Sequence, residues 1–115
     1  MDAQTVAIML KVAALRLSST IRELERRYDK LGPGPERDQI ESDLIDLRMD
    51  RDDLEAKAVA MASLGSAFKP PSESLLKNLK AATDRLSAAN ASSAATDALL
   101  EGAQSLIAIA LRVAR

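Results

Sequence analysis

The residues best suited to chemistry in this sequence are carboxylates. Asp43, Asp46, Asp50 and Asp53 recur at spacings of 3, 4 and 3, which on a helix draws them into one stripe. Asp43-x-x-Asp46 and Asp50-x-x-Asp53 each set two carboxylates one turn apart, a spacing able to hold Mg²⁺ against a phosphate. The usual companions of such chemistry are missing. The sequence contains no His and no Cys, so histidine acid–base catalysis, thiol nucleophiles, disulfides and zinc sites of the usual kind are excluded. It also lacks a glycine-rich phosphate loop, a Ser/His/Asp set and a lysine-bearing nucleotide motif. The expectation is a non-enzyme with no metal and no cofactor.

All-α nucleotide pyrophosphatases, which this chain faintly resembles, draw their acidic pairs from two facing helices. Here both pairs share one helix, so a Mg²⁺-dependent pyrophosphatase is the weakest of the readings. The stripe has a different significance as charge. From Glu36 to Glu55 nine acids stand against three bases, a local net charge of −6 in a chain of net charge −1. Only Asp53 has a same-helix partner, Lys57 at i+4; the other three mainly repel one another, costing a few tenths of a kcal/mol per pair. Either the first helix compensates, through Arg16, Arg22, Arg26, Arg27 and Lys30, or water does, or the stripe docks a basic partner protein.

The elements that must position these residues are helices. Gly and Pro gather at Leu31–Pro35 and Leu64–Pro71, and each cluster interrupts a helix. A weaker break lies at Asn90–Ser93, where Asn can end one helix and Ser can cap the next; the alternative is one long helix over 72–114 with this cluster inside it. The intervening residues are mostly good helix formers, and no alternating strand is present. Ala3, Ala7, Leu10, Ala14, Leu17, Ile21, Leu24, Tyr28 and Leu31 form an unbroken heptad seam, and Ile40, Leu44, Leu47, Arg51, Leu54, Ala58 and Met61 form a second. Arg51 is its one polar member, reaching the edge towards Glu55 or an acid of the first helix, or else fixing the register. Two helices of nearly 30 residues joined by so short a turn run antiparallel. The prediction is an all-α antiparallel bundle: one domain over 1–115, a coiled-coil-like hairpin of helices 3–31 and 36–64, and shorter helices 72–89 and 93–114.

At 115 residues the chain suits one domain, and 16 basic against 17 acidic residues give none of the positive imbalance of a nucleic-acid binder. The apolar run Leu106–Leu111 falls far short of the ~20 residues that span a bilayer. No signal segment is evident either, so no membrane and a cytoplasmic location are expected. Val6, Met9, Leu10 and Val12 at one end, with Leu106, Ile107 and Ile109 at the other, are apolar on more than one face. They either close the base of the bundle or form a homodimer interface.

Gln4-Thr5-Val6, Arg22-Glu23-Leu24, Asp52-Asp53-Leu54 and Pro70-Pro71 together resemble a small helical immunity protein of bacterial type VI secretion, over roughly residues 4–76. The first two motifs lie about one helical turn further apart here. The resemblance implies a dimeric helical protein that binds and neutralises a toxin acting in the cytoplasm. The reading is therefore a protein-binding module, an immunity protein or antitoxin occluding a basic toxin effector through Asp43, Asp46, Asp50 and Asp53. The alternative is a secretion chaperone or helical adaptor that holds a partner helix on its apolar ends.

Overall fold

A computed structural model describes residues 1–115. It contains four α-helices and no strand: α1 (Ala3–Lys30), α2 (Pro35–Ala62), α3 (Glu73–Ala91) and α4 (Thr96–Val113). The bounds follow local chemistry. The Asp2 carboxylate accepts from the Thr5 amide at 2.7 Å and opens α1, and Ser72 does the same for the Leu75 amide at 3.1 Å to open α3. Pro35 starts α2, where its missing N–H goes unneeded. After α2, Gly65 adopts φ +55° within a single 3₁₀ turn, a left-handed conformation that a side chain would strain.

The break after α3 falls at Ser92–Ala95, and Ser93, with φ +56°, makes it without a glycine. Asn90 is not the terminator. It stays within the last turn of α3, and its side-chain oxygen accepts from the Thr20 hydroxyl at 2.8 Å. Its amide nitrogen donates to the Arg16 carbonyl at 3.3 Å. The interruption is thus reinforced from outside, by a bond that holds α3 against α1.

The helices run up, down, up and down. α1 pairs most extensively with α2, and α3 with α4; α1 also touches both α3 and α4, and α2 touches α4. One continuous core joins all four, with Val6, Leu10, Leu17, Leu24, Leu54, Leu79, Leu86 and Leu106 fully enclosed. At 1.5 Å per residue the long helices span roughly 42 Å and the short ones under roughly 30 Å, within a molecule 52 × 22 × 16 Å. The tip of the hairpin is held by the α1 and α2 side chains themselves: the Arg37 guanidinium lies over the Tyr28 ring, 4.3 Å from its centre.

Candidate functional site

The acidic stripe lies where α2 borders α4. Asp43, Asp46 and Asp50 line a shallow groove of about 250 Å³ with Leu47, Met49, Leu100 and Gln104; Asp53 is exposed further along α2. The side chains around them do little to neutralise them. Gln39 donates to Asp43 at 3.1 Å, and Lys57 lies 3.4 Å from Asp53. Asp46 and Asp50 form no ion pair. Partial burial pushes the Asp50 carboxyl above the usual carboxylate range, and the charges of Asp46 and Asp53 push it in the same direction.

The first helix supplies none of the missing charge. Glu23 takes both Arg26 and Arg27, the latter at 3.1 Å, and the hydrogen bonds from Arg26, then those from Arg27, hold its carboxyl below the usual range despite some desolvation. Arg27 reaches beyond it to the Ala94 carbonyl at 2.6 Å and the Thr96 hydroxyl at 2.9 Å. Arg22 bonds Ser19. The one ion pair between α1 and α2 has the opposite polarity, Glu25 on α1 with Arg48 on α2, at 3.5 Å. Arg51 remains half-buried at the helix boundary, contacting Asp52 at 3.2 Å and the Ser18 hydroxyl at 3.5 Å rather than Glu55 or an acid of α1. No three acidic side chains are placed to hold a metal ion.

The apolar ends lie mostly inside the bundle. Val6, Leu10 and Leu106 are completely buried and Ile107 nearly so, while Met9, Val12 and Ile109 are half-buried. What remains accessible near the N-terminus is a groove of about 380 Å³ between α1 and α3, lined by Met1, Ile8, Met9, Val12, Leu79, Lys80, Thr83 and Asp84.

A second row on α2 escaped the sequence reading. Ile45, Met49 and Val59 are 51%, 66% and 60% exposed, and with Asp52 and Ala56 they repeat at spacings of 4, 3, 4 and 3. The row lies roughly 150° around the helix from the core seam at 3.6 residues per turn; Glu41, Arg48 and Glu55 fall in that arc, and the aspartates fall in the wider arc on the α4 side. The signal was present in the spacing; the stronger core seam, with larger and more continuous side chains, masked it. No protein-family model, curated protein or solved structure matches the chain.

Proposed function

We propose that this chain is a protein-binding module, and specifically an immunity protein that neutralises a basic toxin effector by occluding it. The observation that carries this reading is the pair Asp46 and Asp50, which stand beside exposed Met49 without a cation of the same molecule to balance them. Such an arrangement costs stability in the free protein and is repaid when a positive surface arrives. The immunity role itself rests on the motif resemblance over residues 4–76. The homodimer it implies would use Ile8, Leu15 and the α1–α3 groove, because Val6, Leu10 and Leu106 are committed to the core.

The test is rescue and capture together. Co-expression with the toxic product of a neighbouring gene is expected to restore growth, and the tagged chain to retain that protein in low-salt but not high-salt washes. Asp46→Lys with Asp50→Lys is expected to abolish both. Rescue that survives the double reversal would overturn the role of the stripe. The second reading, a secretion chaperone or helical adaptor, is supported by the apolar α1–α3 groove; it predicts salt-indifferent capture of several clients, lost in Ile8→Glu.

A further inference from the structure

The row Ile45, Met49, Ala56 and Val59 is an unpartnered apolar face on a helix whose core contacts are already complete on the opposite side. Half or more of each large side chain in it is exposed. A single exposed apolar side chain needs no explanation, but a row at heptad spacing has the geometry of a helix-docking surface. Its ends are polar, with Asp38 and Ser42 before Ile45 and Ser63 after Val59, all on the same spacing.

The charges around this row select its occupant. On the side facing α4 stand Asp46, Asp50 and Asp53. On the side facing α1 stand Glu41, Arg48 and Glu55, with Arg48 already engaged by Glu25. Asp52 sits within the row. A second copy of α2 would therefore be repelled. In a two-fold antiparallel pairing centred on Asp52, Ile45 would meet Val59 and Met49 would meet Ala56, but Asp52 would meet its own copy. Each flank would also face itself, aspartates against aspartates. A parallel two-fold pairing again sets Asp52 against Asp52 and the aspartates against Glu41 and Glu55. The α1–α3 groove, by contrast, is edged by Lys80 and Asp84, of opposite sign, which select no occupant.

From this we infer that the outer face of α2 receives a cationic amphipathic helix. Its apolar row lies on Ile45, Met49, Ala56 and Val59, and its Lys or Arg side chains fall along the flank of Asp46, Asp50 and Asp53. The inference rests on the protein-binding reading above and specifies how the partner is held. Apolar contact supplies the residence time, and the heavier acidic flank, three aspartates on the α4 side against two glutamates and Arg48 on the α1 side, favours one way for the helix to roll onto the surface.

A defined peptide tests it with the intact protein. The probe is a synthetic helix of ~21 residues with Leu at the a and d positions and Lys along one flank; its control carries Glu in place of Lys. Fluorescence titration is expected to give one-to-one binding of the Lys peptide and none of the Glu peptide. Met49→Glu, at an exposed position and with helicity verified by circular dichroism, is expected to weaken binding at least about tenfold. Asp46→Lys with Asp50→Lys should weaken it similarly, and Ile8→Glu should leave it unchanged. Absence of binding by the Lys peptide overturns the inference. So does binding that Met49→Glu leaves intact, which would mark a purely ionic surface, or binding lost only in Ile8→Glu, which would move the site to α1. Salt-sensitive capture of a basic toxin alongside any of these failures would leave the proposed function standing without this docking mode.

Discussion

The two long helices have the same length of 28 residues and pack on each other along their cores, yet they are built to different ends. α1 contributes ten buried residues, against six from α2, and its cationic C-terminal half is spent internally: Arg26 and Arg27 on Glu23, and Arg27 again on the turn before α4. α2 divides its apolar residues between two opposed faces, only one of which the bundle covers, and leaves two aspartates unbalanced. α1 leaves Ile8 and Leu15 as its only large exposed apolar side chains, both in its N-terminal half. The difference places more of the core on α1 and more of the unbalanced charge on α2.

The comparison is broken most directly by truncating one leucine of α2 and its exposed methionine. Leu54 is fully buried, so Leu54→Ala is expected to cost about 2–5 kcal/mol, the lost transfer energy plus the cavity. Met49→Ala should change stability by no more than about 0.5 kcal/mol. Chemical denaturation of both variants is the measurement. If Met49→Ala approaches the cost of Leu54→Ala, the outer row belongs to the fold and the division between the two helices fails.

A smaller effect is expected from the ties that α1 makes to the far end of the α3–α4 hairpin. Arg27→Ala removes the bonds to the Ala94 carbonyl and the Thr96 hydroxyl together with the pair to Glu23, and a loss of about 1.5–3 kcal/mol is expected, the range for hydrogen bonds that involve a charged group. Hydrogen exchange sharpens the assignment. Protection should fall first in the amides of residues 99–102, the first hydrogen-bonded turn of α4, which begins with Leu99 donating to the Ala95 carbonyl and has no side-chain cap before it. Uniform loss of protection across all four helices would mean that Arg27 supports the bundle as a whole.

These residues also mark where sequence reasoning succeeds and where it stops. Helix number, order and approximate ends were legible because heptad spacing, Pro35 and Ser72 act through local geometry. The break near residue 92 was legible as composition, but its means were not: Ser93 in a left-handed conformation, and Asn90 bonded to Thr20 and Arg16 some 70 residues away, are tertiary facts. The aspartate stripe was legible as a row. That α1 would fail to neutralise it was not, because the direction in which Arg22, Arg26 and Arg27 reach depends on Glu23 and on the α3–α4 turn. The apolar ends were legible as excess hydrophobicity, and only the packed bundle divides that excess into Val6, Leu10 and Leu106 inside and Ile8 and Leu15 outside.

The smallest expected effect is the one that separates the two helices most sharply, because its sign differs between stability and binding. The Asp50 carboxyl sits above the usual range through partial burial, then through Asp46 and Asp53, so its ionised form is penalised in the folded protein. Asp50→Asn removes the charge and is expected to raise stability at neutral pH by a few tenths of a kcal/mol, the scale of one like-charge pair on a helix. The folded-state pKa is raised, so the gain is present above it and closes as pH falls through it towards the ordinary carboxylate range, where wild-type Asp50 is itself neutral. Glu23 has the opposite sign: its carboxyl is lowered by Arg26 and then Arg27, so its contribution is present at neutral pH and lost as pH falls through the lowered value. Paired denaturation curves across that acid range check both signs. For binding, Asp50→Asn should weaken the cationic partner while stabilising the free protein, and Glu23→Gln on α1 should destabilise the free protein while leaving the partner's affinity unchanged. If Asp50→Asn lowers stability, the carboxylate has a partner within the fold and α2 is no different in kind from α1.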